Sequence, residues 1–415
     1  MTSIGGKKLI SNAGALFALQ LANYLLPFLI IPFLTRTLGV SLYGVVAFGL
    51  ALVQIACIVT DFGFNLSATR QIASHSDDRE FIRKVIGAVH VCKFFLLVPI
   101  GLLFLVFIFS QEQKYGEHAS FFFLLLMPVV GQTFQPIWFF QGIERMGFIT
   151  VFLVLARSSY VVLAILWVSV PEDYVWVAIA NGVAQILGAL VAVGFMVRLG
   201  YAPIWPDWPF VRRIFTESVE FFWSRAAVAT YTAGGVFFIG IVSTPINVAY
   251  YSAAEQLYKG AQALLQPLTQ ALYPYMVKRK DVMIFFRVFT VVTLLALVGC
   301  GIGLVTGNWF LVLIFGEDFS QSYPLLCIFL IAFCVVAPSV LLGYPFLGAF
   351  GDSKSANRSV IIGGGIQVVV LTFLYLSGIT EGLVVALSVL LVEVFVLSYR
   401  VIKARDILKY CSQSQ

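Results

Sequence analysis

Charge is what this sequence has least of. Only 11% of its 415 residues are Asp, Glu, Lys or Arg, against about 25% in water-soluble domains. So few charges cannot cover a soluble protein of this length, which excludes an ordinary soluble enzyme, a disordered chain and a nucleic-acid binder. Histidine is as scarce: His75, His90 and His118 are scattered, which argues against a zinc site. Six cysteines are present. Cys57, Cys92, Cys300, Cys327 and Cys334 lie in apolar stretches, Cys411 lies in the tail, and none has a CxxC partner. Neither a disulfide framework nor a metal site is expected. No GxxxxGK[ST] run occurs, so ATP hydrolysis through a P-loop is excluded. No catalytic group and no cofactor is expected.

What is abundant is apolar. Hydrophobic residues make up 60% of the chain and aromatics 15%. A bilayer core takes about 20 apolar residues per helix. Twelve such runs can be read: roughly 10–34, 44–64, 85–109, 120–141, 148–169, 174–197, 215–242, 250–276, 284–314, 323–349, 359–377 and 383–402. The expectation is an all-α integral membrane protein of twelve transmembrane helices. The first run is too long for a signal-peptide core and lacks a small-residue cleavage site after it, so it is read as a retained helix. With both termini cytoplasmic, 20 of the 26 lysines and arginines fall in inside loops and only Arg36 and Lys114 outside. That bias follows the positive-inside rule. The net charge of +6 therefore reports topology, not an anionic partner.

The chain repeats at an offset of roughly 206 residues. Trp138-Phe139-Phe140-Gln141-Gly142 aligns with Tyr344-Pro345-Phe346-Leu347-Gly348, and Tyr43-Gly44 with Tyr250-Tyr251. The hairpin at Pro171-Glu172-Asp173 aligns with that around Gly378-Ile379-Thr380. Two six-helix lobes in pseudo-twofold repeat follow, the plan of a secondary transporter that rocks one bundle against another. The expected division is an N-terminal lobe over 1–198, a cytoplasmic interfacial linker over 199–213, a C-terminal lobe over 214–402 and a cytoplasmic tail over 403–415. Three prolines (203, 206, 209) forbid a continuous helix in the linker, and Trp205 and Trp208 suit the headgroup zone.

Four cations, Lys93, Arg157, Arg225 and Lys259, fall inside expected helices. Counting about 1.5 Å of rise per residue puts all four roughly 12–18 Å deep. A charge at that depth needs a partner or a cavity. In the eighth span Glu255, Lys259, Gln262, Gln266 and Gln270 occupy a stripe about 80° wide. An i,i+4 pair of Glu255 with Lys259 explains two of them, and an aqueous cavity explains all five. Glu220 and Glu255 are candidates for proton or sodium coupling. Glu217 is close enough to the cytoplasmic end to be interfacial. Arg36 and Asp61 lie near opposite mouths and are candidates for gating or release, or ordinary interfacial charges. Glu393 stands alone in the last span. Prolines 27, 32, 99, 128, 136, 267, 274 and 338 fall inside spans, where they kink helices and free carbonyls.

Several motifs carry a family resemblance over essentially the whole chain. Asn23-Tyr24-Leu25-Leu26-Pro27 and Thr35-Arg36-Thr37-Leu38-Gly39 resemble the first helix of polysaccharide exporters. Asp61-Phe62-Gly63-Phe64-Asn65-Leu66-Ser67-Ala68-Thr69-Arg70 resembles the segment after the second span of O-antigen flippases. Pro136 to Met146 resembles their fourth-span ending, and Tyr251-Ser252-Ala253-Ala254-Glu255 the start of their eighth. Many relatives place a lysine after that glutamate, where this chain has Gln256. The chain thus resembles Wzx-type flippases of the multidrug/oligosaccharidyl-lipid/polysaccharide exporter superfamily, with a fold like that of the multidrug (MATE) exporters. The resemblance implies a substrate, an undecaprenyl-pyrophosphate-linked oligosaccharide. It would be moved from the cytoplasmic to the periplasmic leaflet of a bacterial inner membrane during lipopolysaccharide O-antigen synthesis. Membrane lipid is a further partner, and the O-antigen polymerase and chain-length regulator are possible ones. Lys93, Arg157, Arg225 and Lys259 would then meet the pyrophosphate, since an anion in low dielectric needs paired charge. The alternative is a cation-coupled multidrug antiporter of the same fold, whose cavity should be acidic. A membrane glycosyl polymerase is disfavoured by the short outer loops.

Overall fold

The computed structural model describes residues 3–413; side chains are described for residue 26 and from residue 29 on, except those of 224, 225, 227–233 and 410–413. Among these residues the fold is helical throughout, with no strand. Two compact units divide the chain, Met1–Ala226 and Ala227–Gln415.

The first unit opens with α1 (Ser3–Asp61), bent at Gly39. There φ is 71° and ψ 175°, a conformation open to glycine and strained for other residues. The bend falls between the first two expected spans. After α2 (Phe64–Ser74) comes α3 (Arg79–Ser110), whose first turn is capped by Asp78 accepting from Phe81 N at 2.9 Å. Of the three polar residues Ser76-Asp77-Asp78, the last is therefore the cap. The fourth span is broken into α4 (Glu112–Tyr115), α5 (Ala119–Leu124), α6 (Leu126–Thr133) and α7 (Ile137–Gly142). Pro128 offers no N–H to the Leu124 carbonyl, and α5 stops there. The helical hairpin α8 (Met146–Trp167) and α9 (Tyr174–Arg198) closes the set. Asp173 holds its turn by accepting from Ser169 N and Val170 N.

The segment 199–207 is pinned along the start of α3. Arg83 Nε donates to Ala202 O at 2.8 Å, Ile204 N donates to Arg83 O at 3.2 Å, and Arg79 sits over the Tyr201 ring. Trp205 is fully turned outward. Helix α10 (Trp208–Val242) then begins in the first unit and continues into the second.

The second unit continues with α11 (Pro245–Ala263) and α12 (Leu265–Arg279). They are separated at Leu264 because Pro267 cannot donate to the Ala263 carbonyl. Then follow α13 (Val282–Phe315), α14 (Tyr323–Leu341), a π-helical turn Leu342–Gly348 around Pro345, α15 (Ser353–Leu376) and α16 (Gly382–Gln413). Asp281 and Asp352 cap α13 and α15. The order of elements repeats: each unit has a long helix, a span with an irregular end and a closing helical hairpin. The irregular ends, α7 and the π-helical turn, are the segments that align in sequence.

The outer faces are apolar. Phe109 is 75% exposed and Val305 84%, and exposed apolar side chains run from Phe94 to Phe109 on α3 and from Met283 to Leu313 on α13. Water would not tolerate such patches, and a bilayer removes the cost. Nine helices among the described residues are long and apolar enough to cross a membrane. The protein is a multi-pass membrane protein.

Candidate functional site

Each unit encloses a polar cluster. In the first, Lys93 of α3 is 4% exposed. Its Nζ donates to the Thr133 carbonyl at 2.7 Å. That carbonyl is available because α6 ends at Thr133. The next segment carries Pro136, and Ile137 N–H, which would otherwise close onto Thr133, donates to Gln135 O instead. A helix break thus supplies an acceptor for a buried ammonium, as broken membrane helices do when they line polar interiors. The Thr133 hydroxyl reaches Thr60 Oγ1 at 2.9 Å and Val129 O at 2.7 Å. Asp61 ends α1 with its carboxylate oxygens out of solvent, and Lys93 lies near enough to attract it electrostatically. Gln135, just past the break, bonds to the carbonyl and side-chain oxygens of Gln185, and Gln185 to Asn181. These residues line one interior of threonines, amides and the Lys93 ammonium in an otherwise apolar core.

The Asp61-Phe62-Gly63 motif forms the turn into α2. Phe62 has φ 44° and Gly63 φ 80°. The Phe62 ring stacks on Phe215 at 4.5 Å and Phe222 at 4.6 Å. A Cβ on Gly63 would come within 2.9 Å of Phe222 N, so both backbone angle and space demand glycine there. Ser67 and Ser218 share a hydrogen bond of 2.7 Å one turn further on.

Other first-unit candidates lie apart from this cluster. Arg157 is half-buried on α8 and makes no hydrogen bond or ion pair with the described residues. Arg36 is exposed, three residues before the Gly39 bend. Glu220 is exposed on α10, and Glu217 on the same helix accepts from Arg213 Nε at 2.9 Å and from Gln71. The Arg225 side chain lies outside the described residues.

In the second unit Lys259 Nζ bonds Glu255 Oε2 at 2.6 Å. The glutamate side chain is 8% exposed and the lysine 34%. The expected polar stripe grades outward: Gln262 is half-buried, while Gln266 and Gln270 are exposed. The stripe is not carried on one straight helix, because the Pro267 break between α11 and α12 lies between Gln262 and Gln266.

Behind this stripe lies a group that sequence reasoning left unexplained. Tyr258 of α11 donates its hydroxyl to Glu393 Oε1 of α16 at 3.3 Å. Gln262 stands one turn further along the same helix. Tyr258 is held by stacking on Phe329 at 5.1 Å. Arg400, counted among the cytoplasmic cations from sequence, is buried. Its Nε donates to Ser359 Oγ at 2.9 Å and its Nη1 to Ser339 O at 2.7 Å. Gln367 donates to Ser388 Oγ close by on α15 and α16. The sequence signal for Glu393 was its isolation in an apolar run; no periodicity links it to a tyrosine 135 positions earlier.

Comparison with known proteins places these units in context. The family described as polysaccharide biosynthesis protein matches residues 9–280. A protein of Escherichia coli (strain K12) that carries the name O-antigen transporter is 30% identical over 308 residues, 74% of this chain and 73% of that one. An inward-facing multidrug resistance MATE family transporter of the MOP superfamily superposes with a TM-score of 0.67, covering 92% of this chain and 96% of the other at 13% identity. The lipid II flippase MurJ, in an inward closed conformation, superposes with a TM-score of 0.65 over 96% of this chain and 89% of the other at 11% identity. At such identities the structures speak to the fold alone, which is that of the exporters. The match over residues 9–280 and the relative at 30% identity carry the assignment further: the chain belongs to the polysaccharide biosynthesis protein family, as its motifs' resemblance to Wzx-type flippases implied.

Proposed function

We propose that this protein is a flippase for undecaprenyl-pyrophosphate-linked O-antigen units, carrying them from the cytoplasmic to the periplasmic leaflet of a bacterial inner membrane. The observation that carries the reading is Arg157. It is a half-buried guanidinium on an apolar helix with no counter-charge among the described residues. Such a group is costly unless an anion arrives, and a pyrophosphate matches the guanidinium fork. The relatives are transporters and not enzymes, and the substrate's polar head cannot cross hydrocarbon unaided.

In this reading Arg157 and Arg225 are the leading headgroup contacts. Lys259 joins them when it leaves Glu255, and Lys93 supports them from its seat on Thr133. Gln262, Gln266 and Gln270 bond sugar hydroxyls. Transport proceeds by alternating access between an N-terminal lobe (1–198) and a C-terminal lobe (214–402) joined by the 199–213 linker, with both termini cytoplasmic. Twelve spans are reached by adding the arm of α1 before Gly39, α10, and α11 with α12 to the nine apolar ones. Glu220 and Glu255 are candidates for ion coupling, Arg36 and Asp61 for the mouths. The O-antigen polymerase and chain-length regulator are the expected neighbours in the membrane.

The multidrug antiporter reading is weaker, because Glu255 is neutralised by Lys259 and a cationic drug would find no free carboxylate there. Deletion of the gene decides between them. Complete lipid-linked units should accumulate on the cytoplasmic leaflet while drug sensitivity stays unchanged. Raised drug sensitivity with normal surface polysaccharide would refute the flippase.

A further inference from the structure

Glu393 is a buried carboxylate with an unusual set of neighbours. It sits in the middle of α16 and is 4% exposed. Its one hydrogen bond within the described residues is the 3.3 Å contact from the Tyr258 hydroxyl. No lysine, arginine or histidine among those residues lies within ion-pairing distance. The nearest cation on its own helix, Arg400, is two turns away, and its guanidinium is occupied by Ser359 and Ser339. The groups on the packed elements are also accounted for. On α11, Glu255 is tied to Lys259, and Tyr251 is a buried neutral phenol. On α14 the ionisable groups are Tyr323, Cys327 and Cys334, none of which can carry a positive charge. Lys354 and Arg358 lie at the start of α15, and Tyr344 in the π-helical turn bonds Asn357.

Arg400 attracts this carboxylate only from two turns away, no cation among the described residues touches it, and burying it ionised is costly. A metal ion is a poor remedy. Hard cations take six or more oxygens, and here one carboxylate and one phenol converge. A proton needs no such shell. The neutral acid keeps an acceptor oxygen for Tyr258, and its other oxygen carries the proton.

We infer that Glu393 is a proton-carrying site of the transport cycle, linked through Tyr258 to the polar helix α11. The inference rests on the transporter reading and adds a coupling residue in the last helix. The step is Glu393 carboxylate plus a proton giving the neutral acid, and the reverse on release. The path is short. The Tyr258 hydroxyl touches Glu393, Gln262 stands one turn further along α11, and one turn earlier on the same helix lies the Glu255–Lys259 pair. Loss of the proton would place a negative charge behind the stripe. That charge would attract Lys259 away from Glu255 and so change the face offered to an anion.

The test needs no substrate. Infrared difference spectra of the detergent-purified full chain, recorded between mildly acidic and alkaline buffers, should contain a carbonyl-stretch band from a protonated carboxylic acid. Glu393→Gln should remove that band. Tyr258→Phe should keep it and move it to higher frequency, because the carbonyl loses its donor. If Glu393→Gln fails to fold, the Tyr258→Phe shift alone tests the assignment. A band unaltered by both substitutions overturns it, and so does a band that responds to Na+ at constant pH and not to pH. In cells, Glu393→Gln should lower surface polysaccharide at least tenfold at unchanged protein level; wild-type export would overturn the coupling role. Failure of the flippase reading is seen separately, as no accumulation of lipid-linked units on deletion of the gene.

Discussion

The two units solve the same problem with opposite signs. Each buries an ionisable side chain to 4% exposure, Lys93 in the first and Glu393 in the second. Lys93 is met by a carbonyl released at a helix break, with Asp61 close by. Glu393 is met by a single phenol at 3.3 Å. The ammonium has a short bond to a backbone atom that cannot move without refolding α6 and α7. The carboxylate has a longer bond to a single side-chain hydroxyl, with no backbone atom holding it. The difference teaches where a buried charge is part of the scaffold and where it is poised to change state.

Five substitutions would sharpen or break that contrast. The largest effect is expected from Lys93→Met. It keeps the apolar stem but leaves the Thr133 carbonyl and Asp61 without their cation. A loss of about 3 kcal/mol is expected, because the buried carbonyl acceptor is left unmet and Asp61 loses a nearby cation, read as a lower unfolding temperature of the purified protein. A change too small to measure would mean that Lys93 is not part of the scaffold. Lys259→Met should follow with about 2 kcal/mol, because it strands a buried glutamate. The companion Glu255→Gln should cost under about 1 kcal/mol, since its lysine is one-third exposed and can be solvated. Equal losses from the two would contradict the burial gradient. Glu393→Gln should cost less than about 1 kcal/mol, because the amide oxygen still accepts from Tyr258. A loss as large as that of Lys93→Met would make Glu393 a scaffold charge like its counterpart. Smallest is Arg157→Met, with stability within about 0.5 kcal/mol but surface polysaccharide down at least tenfold. Destabilisation without loss of export would reverse the assignment.

Much of this was legible in the sequence. The bend in α1 falls between two apolar runs separated by Gly39, and the polar Ser76-Asp77-Asp78 run stands directly before α3, which Asp78 caps. Pro203 and Pro206 mark a long non-helical connection among the described residues, while Pro209 falls in the first turn of α10. The i,i+4 spacing of Glu255 and Lys259 places them in contact, since neighbours on a helix follow from its period. Pro267 also stands in the sequence, but the division of the stripe into a buried and an exposed half does not follow from it. That depends on what packs over α11. Glu393 was visible only as an anomaly. Its partner lies on another helix, and contacts between helices have no periodicity to betray them.

Composition and periodicity settle the broad questions here. An apolar chain with few charges must span a bilayer as helices, because every backbone group needs an internal partner in lipid. Residue spacing also says which side chains share a helix face. What needed the tertiary structure is which buried charge meets which neighbour. Thr133 is an acceptor for Lys93 only because a helix break aims its carbonyl at α3. Arg400 belongs to the interior only because Ser339 and Ser359 close on it from two other helices. The physical reason is common to both: desolvated charges are stabilised by atoms brought close in space, and that proximity is created by packing.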